Sequence, residues 1–156
     1  MIAPDPPHEM AKATNRIADG RSLRAKLPRR SHSKFAISCD RDVIAMLERS
    51  NDRRIPDLVP VRYWRMSESP FAFFRGAANV MAFDLATGTR DVGLTVQACG
   101  DCHVANFGTF ATPERNVIFD INDFDETHSA PWEWDLKRLV ASSYIVGREC
   151  GLSEKD

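Results

Sequence analysis

Two short segments concentrate polar groups beside apolar runs: Gly100-Asp101-Cys102-His103-Val104-Ala105-Asn106-Phe107, and Asp120-Ile121-Asn122-Asp123-Phe124-Asp125-Glu126. Carboxylates crowded into one place raise each other's pKa, so such a set calls for a compensating positive charge. A hard divalent cation supplies it, and oxygen donors without a cysteine–histidine set suit Mg²⁺. Phosphoryl transfer uses this equipment: one carboxylate orients the attacking hydroxyl, and others hold metal on the transferring phosphates. Asp123 and Asp125 are the metal-binding candidates of the second segment, while Asp120 reads as strand-end structure. Arg75, on an otherwise apolar helix face, is a candidate for phosphate or substrate through its bidentate fork, or for an ion pair with Asp84 or Asp135.

Something must carry the second segment back beside the first, and the sequence between them reads as a β-hairpin. Asn106–Thr112 is a short strand, Pro113-Glu114-Arg115-Asn116 is turn chemistry, and Val117, Ile118, Phe119 and Ile121 form the return strand. That hairpin would bring Asp101, Asn106 and Asp123 together. Leu94–Cys99 reads as a strand running into Gly100. Ser69-Pro70 starts a helix, with Phe71, Phe74, Ala77, Ala78, Met81 and Leu85 as its apolar face and Gly88 as its end. Upstream, Asp40 is expected to cap a helix presenting Val43, Ile44 and Leu47, and Val61–Met66 to form another. Downstream, Pro131 is expected to open a last helix that buries Trp132, Trp134, Leu136, Leu139, Val140 and Tyr144 and ends at Gly151.

The pattern GDxHxxNF, then a hairpin, then DFD, resembles the catalytic core of aminoglycoside phosphotransferases and related small-molecule kinases. That resemblance implies Asp101 as catalytic base, Asn106 and Asp123 as metal ligands, His103 as a brace of the loop and Asp135 as a structural carboxylate. Over most of the chain, the segments LVPVRYWRM, SPFAFFRGAANVMA, CGDCHVANFG, FDINDFDE and PWEWDLKRL resemble the bacterial family called domain of unknown function 2252. That second likeness implies the fold relation and the motifs but no substrate, whereas the kinase-type motifs imply a kinase-like fold with Mg²⁺ as cofactor and ATP as substrate.

A kinase also needs a glycine-rich loop over the phosphates and a lysine on a neighbouring strand. No GxGxxG occurs here, and none of the five lysines lies in an apolar strand. In the resembled family these parts follow the catalytic motifs. The chain is therefore expected to be an N-terminal fragment, an α+β partial kinase-like domain without its nucleotide-binding lobe. Apolar faces bared in this way, including the Phe71, Phe73 and Phe74 group, would favour self-association.

Cys99-Gly100-Asp101-Cys102-His103 is also a literal C-x-x-C-H, the haem c attachment pattern. Haem attachment normally needs export, and the N-terminus lacks the apolar run of a secretory signal, so no haem is expected. Zinc would need a fourth good ligand beside Cys99, Cys102 and His103. The calcium-loop pattern fails at Phe124.

Charge is unevenly spread: residues 1–66 hold 14 Lys and Arg against 8 Asp and Glu, and residues 67–156 hold 7 against 14. Residues 1–35 read as a basic, flexible arm and residues 36–156 as the partial catalytic domain, with nucleic acid not expected as partner. No apolar run is long enough to span a bilayer, and a cytoplasmic location is expected, with Cys39, Cys99, Cys102 and Cys150 reduced. The reading is a Mg²⁺- and ATP-dependent phosphotransferase acting on an unidentified hydroxyl acceptor, inactive or nearly so as this chain. The alternative is a non-catalytic remnant or pseudokinase that binds a partner or nucleotide.

Overall fold

The computed structural model describes residues 7–153, which form six α-helices and two two-stranded antiparallel sheets. In chain order these are α1 (Pro7–Lys26), α2 (Val43–Arg49), α3 (Val59–Met66), α4 (Pro70–Gly76), α5 (Ala78–Gly88), β1 (Thr95–Ala98), β2 (Phe107–Ala111), β3 (Val117–Ile121), β4 (His128–Pro131) and α6 (Glu133–Glu149). The class is α+β. No helix among the described residues is long and apolar enough to cross a membrane.

The stretch read as a loose arm carries α1, and Leu27 just beyond it is buried. Its Ala, Arg and Lys residues are good helix formers, but they make no apolar stripe for a periodicity argument to find. The cap of α2 is Asp42 rather than Asp40: the Asp42 carboxylate accepts the Ala45 N–H at 3.0 Å. Val43 and Leu47 face the core as expected, whereas Ile44 is exposed. That core gathers Met46, Leu47, Met66, Ala77 and Val80, with Val43, Tyr63 and Phe83 packed against it.

Ser69 and Pro70 start α4 as the sequence predicts, the Ser69 hydroxyl accepting the Ala72 N–H at 3.1 Å. The expected single helix to Gly88 breaks at Ala77 (φ −121°, ψ 37°). Two arginines from elsewhere hold the break open. Arg62 donates to the Gly76 carbonyl at 2.6 Å, and Arg138 donates to the Phe74 carbonyl at 2.9 Å. Val80 N–H then turns to Ala77 O instead of Gly76 O.

β2 and β3 form the expected hairpin, with Phe107 opposite Ile121 and Ala111 opposite Val117. β1 pairs with β4, Val96 opposite Ala130 and Ala98 opposite His128. Pro131 therefore ends a strand rather than opening α6. Trp132 N–H extends the ladder by donating to Leu94 O at 3.2 Å. α6 also buries a different side from the expected one: Leu136, Val140 and Tyr144 are exposed, while Glu133, Arg138 and Ser142 are 1%, 2% and 0% exposed. Its inner face meets the loop after β1, whose backbone groups need hydrogen bonds more than apolar contact. Gly151 stops α6 with φ 82°, and Leu152 N–H returns to Gly147 O at 2.9 Å.

Candidate active site

The loop after β1 is shaped by its own backbone. Gly100 has φ 86°, and a Cβ there would strike the Glu126 carbonyl, so only glycine fits. His103 N–H donates to Asp101 O at 2.8 Å, Asn106 N–H to His103 O at 2.9 Å, and the Asn106 side-chain Nδ2 to Asp101 O at 2.8 Å. α6 supports this loop from behind. Asp135 accepts the N–H groups of Cys99 and Gly100 at 2.7 and 3.1 Å, and Ser142 accepts that of Val104 at 2.9 Å.

The hairpin register then sets the second loop beside the first. Asn122 N–H donates to Asn106 O at 3.0 Å, and the next residue is Asp123. The Cys99 thiol donates to Asp123 O at 3.3 Å, and Thr127 Oγ1 donates to Ala98 O at 2.7 Å. Asp101, His103, Asn106, Asp123 and Arg75 consequently line one open cavity of about 930 Å³. Asp125 does not line it; its N–H instead donates to Asp123 Oδ1 at 3.1 Å. Asp135 lies behind the loop. Of the two ion-pair partners considered for Arg75, Asp84 holds Arg41 at 2.7 Å and Asp135 holds backbone.

Asp101 is gripped from the protein side. Arg138 Nε and one terminal nitrogen both reach its Oδ1 at 2.5 Å, and the guanidinium also lies 4.3 Å over the Phe74 ring. His103 Nε2 stands 3.7 Å from Asp101 Oδ2, beyond hydrogen-bond distance, and its ring meets Phe71 edge-on at 5.9 Å. Burial lowers the His103 pKa; the Asp101 charge opposes that, and Arg75 and Arg138 add to it. The imidazole is thus neutral near pH 7, buried against Phe71 rather than paired as a cation.

No three His, Cys, Asp or Glu side chains converge as a metal cage among the described residues. Of the expected metal ligands, Asn106 and Asp123 line the cavity, where Asp101 and Glu68 are the other carboxylates. Asn106 spends its Nδ2 on Asp101 O, which leaves Oδ1 for a cation. Two protein oxygens, with phosphates and water completing the shell, fit Mg²⁺.

Arg138, Ser142 and Arg62 were missed from the sequence. The available signal was a charged residue three positions after Asp135, in a helix expected to be apolar on its inner side.

Neither the comparison with curated proteins nor that with solved structures found a match. The scan of family models did, over residues 54–156, and the chain belongs to the family described as "Uncharacterized protein conserved in bacteria (DUF2252)".

Proposed function

We propose that the chain carries the catalytic and metal loops of a Mg²⁺- and ATP-dependent phosphotransferase of kinase-like type, acting on a hydroxyl acceptor. The observation that supports this best is the hairpin register, which sets Asn106 and Asp123 on the same cavity as Asp101. Asp101 orients the acceptor hydroxyl and takes its proton on Oδ2, because Arg138 occupies Oδ1. As the new oxygen–phosphorus bond forms, the bond from the γ-phosphorus to the bridging oxygen breaks and ADP leaves. Asn106 and Asp123 would hold Mg²⁺, which when bound offsets the charge on the phosphates. His103 keeps the loop in shape, and Asp135 fixes the end of β1. No strand among the described residues carries a lysine, so the chain by itself binds Mg-ATP weakly and turns it over slowly in this reading.

Calorimetric titration with ATP, with and without Mg²⁺, tests the proposal. Binding should require Mg²⁺ and weaken at least about tenfold in Asp123→Ala, the loss of roughly one charged contact. A folded chain that shows no Mg²⁺-dependent binding would sink it and favour the non-catalytic alternative.

A further inference from the structure

We infer that the wall of the cavity built by α3, α4 and the turn before them is an oxyanion site, and that the acceptor carries an anionic group, a phosphate ester or carboxylate, held by Arg54, Arg62 and Arg75. Assigning that anion to an acceptor rests on the phosphotransferase reading, whereas the oxyanion site itself rests on the arginines alone.

Five arginines, Arg53, Arg54, Arg62, Arg65 and Arg75, line the cavity that holds Asp101 and Asp123, and Glu68 is the one further acid there. Arg54, Arg62 and Arg75 also line a neighbouring cavity of about 500 Å³, so they stand on the ridge between the two spaces. Among the described residues, the arginine ion pairs are Arg41 with Asp84 and Arg138 with Asp101. None of the five takes part.

Arg62 is held in place by neutral groups only. It donates to Asn51 Oδ1 at 3.2 Å and to Gly76 O at 2.6 Å, and its guanidinium lies 5.4 Å from the Tyr63 ring centre. Arg54 is tied through Nε to Ser50 O at 3.2 Å. Burial disfavours the charge on Arg62, and the neighbouring Arg54 charge disfavours it further. An oxyanion among the three would relieve both effects, and a guanidinium fork matches the oxygens of phosphate or carboxylate.

With its anionic end on these arginines and its hydroxyl at Asp101, an acceptor is fixed at two points, which is what positioning requires. A polycationic acceptor would meet like charge on the same wall.

Metal-free titration of the full chain with inorganic phosphate tests this. Phosphate should bind, and Arg75→Gln should weaken it about tenfold, one charged hydrogen-bonding contact. Arg75 is exposed and makes no side-chain hydrogen bond or ion pair among the described residues, so this variant should fold. Arg75→Lys should recover part of the loss. Asp123→Ala should leave phosphate binding unchanged or tighter, while weakening Mg-ATP. Absence of phosphate binding, or indifference to both Arg75→Gln and Arg62→Gln, overturns the oxyanion site whatever Mg-ATP does. Competition between phosphate and Mg-ATP overturns the acceptor assignment and gives the arginines to the nucleotide. Phosphate binding without any Mg-ATP binding keeps the oxyanion site and removes its assignment to an acceptor.

Discussion

Arg138 holds Asp101 by a single carboxylate oxygen. Both of its donors converge on Oδ1, and Oδ2 has no hydrogen bond among the described residues. Arg138 is 2% exposed, and its guanidinium also reaches the Phe74 carbonyl and the Met81 sulfur. A cation so far from water needs its anion, and the anion in turn gains a fixed direction. The contact therefore ties the stability of the α4–α6 packing to the aim of the proposed base.

Breaking that pair should cost folding stability. Arg138→Met is expected to destabilise by about 3–5 kcal/mol, the range for removing one partner of a buried pair. Asp101→Asn should also destabilise, since it leaves the buried guanidinium without its anion. The double variant should lose about 0.5–3 kcal/mol less than the sum of the two single losses. Urea unfolding of all four proteins measures this, and strict additivity would mean that the two residues are not coupled.

Gly100→Ala should strike the site without touching a charge. The residue has φ 86°, and a methyl group would run into the Glu126 carbonyl. A non-glycine residue in such a conformation costs about 1–3 kcal/mol, before any clash is added. The loop must shift to relieve it, and Gly100 is bonded to Asp135. Loss of Mg²⁺-dependent ATP binding, together with a lower unfolding midpoint, is the expected result. A variant as stable as the parent would show that the loop is not packed this way.

The hairpin was legible because both of its signals are local. Val117–Ile121 is β-prone, and Pro113–Asn116 is turn-forming, with Arg115 taking φ 64°. The Ser69-Pro70 start and the Gly151 stop were legible for the same reason. What escaped depends on partners distant in sequence. His128–Pro131 has little strand propensity and pairs only because β1 lies beside it. The α4–α5 break comes from Arg62 and Arg138, which lie outside the run that breaks. The inner face of α6 is polar because the loop it supports presents unpaired N–H groups to it. No periodicity in α6 itself records that demand.

The cysteines of the loop should be inert at neutral pH. Burial, with the nearby Asp135 charge adding to it, pushes the Cys102 thiol up from 9.0 to about 12. Burial raises Cys99 as well. Thiolate is the reactive form, so a thiol reagent near pH 8 should label exposed Cys39 and Cys150 and spare Cys99 and Cys102 until the chain unfolds. The folded state keeps a proton that the unfolded state gives up. Stability from Cys102 is therefore full below pH 9 and is lost as pH rises from 9 towards about 12. Cys102→Ser should flatten that alkaline decline. Rapid labelling of all four thiols in native protein would contradict the packing.

The outer face of the hairpin should drive self-association. Among the described residues, β2 and β3 pair only with each other, so each strand has an open edge there. Val117 and Phe119 are 75% and 69% exposed on one face, where Phe119 stacks on Phe107 at 6.3 Å. An apolar face beside open strand edges is a template for another chain. Phe110 is partly exposed on the opposite face. Sedimentation velocity should therefore show larger species growing with concentration. Val117→Lys and Phe119→Lys should restore the monomer, because charge on an edge strand opposes pairing. Neither residue lines the cavity, so Mg²⁺-dependent ATP binding should survive both changes. If the parent chain stays monomeric at every concentration, this face is not the sticky one. If the lysine variants still associate, contact through another surface, such as exposed Trp64 on α3, takes its place.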